Sequence, residues 1–225
     1  MKIKTNHLIT RVAVAAAVIF SVSSCSKDDD NDNMMNAKLS FVNTVEGSAA
    51  QDIFINDSKV STSAVAYGSS SNEISTTAGN KTISFKNANS ATVTASAEVN
   101  TNVNSSHTAF LVKQANGTMG ISLYANDNTA ASGKAKVRFI NVAPMLTSTI
   151  NVTTSTGTNL ISALAFKAAS AYQTIDANTN LNVMMTGSLE VTTITGSELQ
   201  AGKIYTIWFD SSTTTKAKYH IVVHN

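Results

Sequence analysis

Apolar and polar residues alternate in short runs along most of this chain. Leu39 and Phe41 alternate with Lys38 and Ser40, and Val137 and Phe139 alternate with Lys136 and Arg138. Successive side chains of a strand point to opposite faces, so each run predicts a strand with one buried and one wet face. The stretches 82–86, 91–99 and 218–222 read the same way. Asn116-Gly117 lies between HTAFLVKQA and TMGISLY and predicts a tight hairpin with both turn residues at positive φ. Gly79-Asn80 and Ala201-Gly202 punctuate other joins. The spacing gives seven or eight short strands in each unit of about 90 residues, as in a β-sandwich.

One apolar run breaks this pattern. Val12 to Val22 (VAVAAAVIFSV) follows Lys2, Lys4 and Arg11. A membrane-spanning helix needs roughly 20 apolar residues, so the run is short for that purpose and reads as the core of a secretory signal over residues 1–24. Val22-Ser23-Ser24-Cys25 resembles the lipobox of bacterial lipoproteins, in which the Cys thiol receives a diacylglycerol and becomes the new N-terminus. Each buried CH₂ contributes about 0.8 kcal/mol, so two or three acyl chains on Cys25 hold a protein at a membrane without a transmembrane helix. Residues 25–36 then form an acidic, solvated tether. Its Lys27-Asp28-Asp29-Asp30 resembles the surface-export signal of Bacteroidetes lipoproteins, which implies an outer-membrane lipoprotein with its body facing outward. Fully extended, residues 26–36 reach about 35 Å.

Beyond the tether the chain repeats itself. Ala37–Asn43 recurs as Ala135–Asn141, Asp52–Ile55 as Thr149–Val152 and Ala64–Tyr67 as Ala163–Phe166. Ile83–Phe85 recurs as Leu181–Val183 and Phe110–Val112 as Tyr205–Ile207, with offsets of 95 to 99 residues in unbroken order. The expected architecture is all-β, with two tandem β-sandwich domains, immunoglobulin-like or similar, at 37–128 and 134–225. They follow an N-terminal signal helix and flexible tether, and are joined by a short polar segment. The run AKVRFINVAP, then INV, ALAF with Tyr172 after it, and LQAGKIYT resembles the bacterial domain-of-unknown-function family 4397. The resemblance spans Ala37 to Asn225 and is clearer in the second unit. It implies a β-sandwich module of the cell envelope, often in tandem, and no activity.

Composition narrows the function. Charged residues make up 13% and aromatics 6%, with Ser, Thr, Asn and Ala dominant, which suits strands and turns. Without Lys2, Lys4 and Arg11 the chain keeps 13 basic against 14 acidic residues, a net charge of −1, and no basic stripe for nucleic acid remains. Cys25 is the only Cys, so the body has no internal disulfide. No Gly-x-Ser-x-Gly elbow and no glycine-rich phosphate loop appears, and Asn56-Asp57-Ser58 matches a glycosylation sequon only as such a composition will. His220 and His224 fall on one face of a terminal strand but about 13 Å apart, too far to share a metal ion. Asp52, Asp57, Glu73, Asp127 and Asp176 fall near turns, where they stabilise local backbone. The expectation is therefore no catalytic residue, no metal and no cofactor.

Trp208 is the candidate ligand or partner contact. In Tyr205–Phe209, alternation turns Tyr205, Ile207 and Phe209 inward. The matched Phe110 and Val112 fit that inward face, and Trp208 pairs with outward Lys113. An outward Trp208 could stack on a sugar ring or cap a partner surface, or it could cover the junction between the units. The leading expectation is a non-enzymatic envelope lipoprotein displaying two modules for binding or adhesion, to a glycan or to an envelope or host protein. The alternatives are a structural spacer of an outer-membrane complex and a glycan-capturing lipoprotein of a polysaccharide-uptake system.

Overall fold

A computed structural model describes residues 35–224 of the chain. The signal segment 1–24, Cys25 and the export signal Lys27, Asp28, Asp29 and Asp30 lie outside the described residues. The alternating runs form sixteen strands. The first half holds β1 (Asn36–Asn43), β2 (Gln51–Ile55), β3 (Ser58–Lys59), β4 (Ile74–Thr77), β5 (Gly79–Asn87), β6 (Val93–Thr101), β7 (Ser106–Lys113) and β8 (Met119–Ala125). The second holds β9 (Lys134–Asn141), β10 (Ile150–Thr154), β11 (Asn159–Leu164), β12 (Gln173–Asp176), β13 (Leu181–Met185), β14 (Val191–Ile194), β15 (Ile204–Asp210) and β16 (Lys218–Val223).

Each half is a sandwich of two four-stranded sheets with the same strand order. Sheet β4-β1-β7-β8 packs on β3-β2-β5-β6, and sheet β12-β9-β15-β16 packs on β11-β10-β13-β14. All named pairs are antiparallel except β1 with β7 and β9 with β15, which run parallel. Leu39, Phe41, Ile53, Ile83, Phe85, Ala109 and Leu111 fill the first core. Val137, Phe139, Ile150, Val152, Leu181, Val183, Ile207 and Phe209 fill the second.

The repeat extends to hydrogen bonds. Asn43 and Asn141 are both buried where β1 and β9 end. The Asn43 amide donates to Val65 O at 3.3 Å and accepts from Val45 N at 3.1 Å. The Asn141 amide donates to Leu164 O at 3.1 Å and accepts from Ala143 N at 3.0 Å. Ser71 Oγ accepts from Phe41 N at 3.0 Å, and Ser170 Oγ from Phe139 N at 2.9 Å. These side chains satisfy backbone groups that an irregular segment running beside the strand would otherwise leave unpaired.

One turn reading needs correction. The β7–β8 loop is longer than two residues: Gly117 N donates to Gln114 O at 2.9 Å, and Gln114 N to Thr118 O at 2.7 Å. Only Gly117 takes positive φ, while the Asn116 carboxamide accepts from Thr118 N at 3.1 Å. This is a type I turn closed by a left-handed glycine. The two-residue turn with both φ positive lies instead at Asn56 (φ 47) and Asp57 (φ 62), where Ile55 pairs with Ser58 across β2 and β3.

Candidate functional site

The strands that meet between the sandwiches are apolar on both faces. In β7, Ala109 and Leu111 point into the first core, while Phe110 and Val112 point the other way. In β15, Tyr205, Ile207 and Phe209 point into the second core and Trp208 points the other way. Strands buried on both sides read as continuous apolar runs, which is what AFLV and IWF are. Val42, Phe110, Val112, Ile140, Val142, Trp208 and Val222 form a third apolar cluster, with Tyr67, Tyr124 and Phe166 packed against it. The sheets containing β1 and β9 thus face each other across an apolar seam.

Trp208 lies at its centre and is fully buried. It stacks on His220 with centroids 3.9 Å apart and planes 7° from parallel. Its indole N–H has no hydrogen-bond partner among the described residues. The outward reading of Trp208 fails because the register was off by three. Parallel pairing sets Val42 beside Phe110 and Ile140 beside Trp208, so Trp208 is the counterpart of Phe110 and not of Lys113. An odd shift along a strand exchanges its faces. Hence Phe110 and Val112 belong to the seam and not to the first core.

Polar networks close the seam at both ends. At one end the Tyr67 hydroxyl donates to Asp210, crossing from one sandwich to the other. His220 Nε2 lies 3.3 Å from Asp210 Oδ1, and Lys218 Nζ lies 3.7 Å from Asp210 Oδ2 and 2.9 Å from Glu46 of the first sandwich. Burial alone would raise the Asp210 carboxyl, but hydrogen bonds from His220 and Tyr67 outweigh it and hold it below the ordinary carboxylate value. The Tyr67 hydroxyl is pushed up to about 12 by burial and by its bond to Asp210. Burial opposes the charge on Lys218, yet its bonds to Glu46 and Tyr67 keep the ammonium raised.

At the other end Arg138 is 3% exposed and makes no ion pair among the described residues. Its Nε donates to Thr206 Oγ1 at 2.8 Å, and its guanidinium reaches across to Ala125 O and, at 2.6 Å, to Asn126 Oδ1 of the first sandwich. Burial lowers its pKa. His224 Nε2 sits 2.7 Å from Thr206 Oγ1. Burial, and then the nearby charge of Arg138, lower the His224 ring to about 4. The shared face expected of His220 and His224 is present, and it faces the seam, with His220 on Trp208 and His224 at Thr206. Among the described residues no group of three potential ligands could hold a metal ion.

These contacts fix polarity. The Arg138 end joins β9 to the end of β8, which pairs with the start of β7, and the Asp210 end joins the finishes of β1, β9 and β15. The four central strands therefore run the same way, from a base that holds Asn36 to a distal end. A cleft of about 290 Å³ opens at the distal end of the seam. Thr44, Val45, Glu46, Gly47 and Lys113 supply one wall, and Val142, Pro144, Met145 and Asp210 to Ser212 the other. Of the turn carboxylates, Asp52 pairs with Lys59 at 2.8 Å, Glu73 with Lys38 at 2.9 Å and Asp127 with Lys136 at 2.6 Å. Asp176 pairs with Lys134. Sequence reading placed Arg138 on a wet face beside Lys136 and missed Asp210, although Asp210 was visible as the lone charge of an apolar strand.

The fold is thus a pair of β-sandwiches that share one apolar face. Residues 37–153 match the family described as domain of unknown function (DUF4397), and the chain belongs to that family. The match starts with β1 and ends inside β10, so it runs through the first sandwich into the second, whereas the residue motifs had read as clearer in the second. No curated protein matches the sequence. Among solved structures the chain is similar to the family-26 carbohydrate-binding module of Eubacterium rectale Amy13K in complex with maltoheptaose. Identity is 12%, covering 85% of this chain and 98% of that one, with a TM-score of 0.28. So distant a likeness carries nothing about ligands over to this chain.

Two predictions follow from the networks. Asp210→Ala strands Tyr67, His220 and Lys218 without their carboxylate and should cost roughly 2–4 kcal/mol. Because Trp208 is the only Trp, its emission should shift to the red and become accessible to acrylamide; unchanged stability and quenching would contradict the latch. The second concerns acid. His224 titrates near 4 in the fold against 6.5 in the unfolded chain, so below about 6.5 only the unfolded state takes the proton. The stability contributed by neutral His224 is complete above that value and is lost as pH falls toward about 4. Denaturation midpoints for His224→Gln should decline less over that window than those of the wild type.

Proposed function

We propose that this chain is a non-enzymatic outer-membrane lipoprotein. In this reading it carries two tandem copies of its family's unit and binds a glycan or an envelope or host protein at the distal cleft. The observation that carries this reading is the polarity of the fold. The tether would enter at the base, through Asn36, and the cleft walled by both sandwiches lies at the opposite end. The lipobox ending at Cys25 and the export signal Lys27, Asp28, Asp29 and Asp30 support anchoring with the body outward. An apolar wall of Val142, Pro144 and Met145 facing Glu46 and Lys113 is the mixture on which binding sites are built.

A second reading, a spacer within an outer-membrane complex, draws on one observation. Asp210 bonds to Tyr67 and His220 and Glu46 bonds to Lys218, so these polar groups of the seam serve its own closure. Glycan capture by stacking on Trp208 has no support, since the indole is buried.

Two experiments test the reading. Residues 35–225, applied to a glycan array and to an envelope pull-down, should retain a ligand, and Met145→Asp with Lys113→Glu should weaken that binding about tenfold or more. Retention of nothing in either assay supports the spacer. For the address, Cys25→Ala should move the protein from the membrane to the soluble fraction, and protease shaving of intact cells should remove the wild-type body. A body that survives shaving contradicts surface exposure.

A further inference from the structure

The four sheets have eight edge strands, and seven are short, irregular or flanked. β3 has two residues, and β4, β12 and β14 have four each. β14 is further flanked by the segment 211–217, through Thr192 Oγ1 to Ala217 O at 2.6 Å. β11 slips register twice against β10. β8 lies against the opposite sandwich, where the Tyr124 hydroxyl donates to Lys167 O at 3.0 Å, and β16 lies against Gly68, close to the His220 ring. β6 alone is long, at nine residues, and carries neither Pro nor Lys, and it runs beside β8 of the facing sheet without pairing with it. Among the described residues its main chain from Thr94 to Thr101 bonds only to β5, so its other side offers a row of free N–H and C=O groups. Proteins ordinarily protect such an edge, because it templates pairing with another strand.

We propose that β6 is a homophilic contact, pairing antiparallel with β6 of a second copy of this chain. The strand is complementary to itself. With the two-fold axis at Ala97, Ala95 meets Val99 on the inner face, while Ser96 meets Glu98 and Thr94 meets Asn100 on the outer face. Glu98 is the only charge of the strand, it has no ion-pair partner among the described residues, and in this register it faces a hydroxyl and not its own copy. Like charges directly opposite would be unfavourable, and the centred register avoids them. Closed two-fold pairing also uses up both edges, so it stops at a dimer.

The direction of β6 gives the pairing a consequence. β6 runs from the distal end to the base, so antiparallel partners point their bases in opposite directions. Resting on the proposed anchoring at the base, the dimer would join two facing membranes rather than neighbours in one.

Sedimentation equilibrium of the chain carrying Cys25→Ala tests the edge with no membrane or glycan present, so its outcome is separate from that of the display reading. Wild type should dimerise reversibly. Ser96→Lys adds two Lys–Glu pairs and should tighten the dimer, and Ser96→Glu adds two Glu–Glu pairs and should loosen it, each by about tenfold or less. Both variants lose the same bond from Ser96 to Ser84, so the difference between them isolates charge. A wild type that stays monomeric to its solubility limit overturns the proposal. So does a dimer that neither variant shifts, which would form through another surface. Full-length protein on vesicles should cluster them, less so with Ser96→Glu. A solution dimer that clusters no vesicles overturns the facing-membrane arrangement.

Discussion

The burial of Trp208 and Phe110 between two facing sheets is the interaction on which the rest of the structure depends. Each sandwich has its own core and could close without the other. The third cluster joins them into one body with all four central strands running the same way. That direction separates a base, where the chain enters at Asn36, from a distal end with the cleft. It also sets where the edges lie: β8 and β16 flank the seam, and β6 pairs only with β5 on the far sheet of the first sandwich.

The apolar centre and the polar ends do different work. Burying Val42, Ile140, Val142 and Trp208 favours association but tolerates sliding, because apolar contact is not directional. Arg138 and Asp210 supply direction. A buried charge without partners costs several kcal/mol, so the sandwiches must meet where Arg138 finds Ala125 and Asn126 and where Asp210 finds Tyr67. The unpartnered Trp208 N–H is a cost inside that arrangement, of about 1–3 kcal/mol. Stacking on His220 and full burial of the indole offset it.

Much of the fold was legible in the sequence, for physical reasons. Alternation of two marked the strands, and the recurrence of Ala37–Asn43 as Ala135–Asn141 marked the repeat, down to the terminal Asn with its backbone clasp. What misled was the assumption that every strand had a wet face. AFLV and IWF were apolar on both faces, and aligning them by their inward residues placed Trp208 three positions from its counterpart and turned it toward solvent. Asn116-Gly117 misled in a smaller way, because the loop around it is longer than the dipeptide suggests. The seam network could not be read at all: Tyr67 and Asp210 stand 143 residues apart, and only packing brings them together.

The central claim is that the seam makes the two sandwiches one cooperative body. Equilibrium denaturation followed by Trp208 emission reports the seam, and far-UV circular dichroism reports the strands of both halves. Coincident transitions with one midpoint are the predicted result. Exposure of Trp208 at a denaturant concentration where the strands remain intact would show two independent modules touching, and would contradict the account.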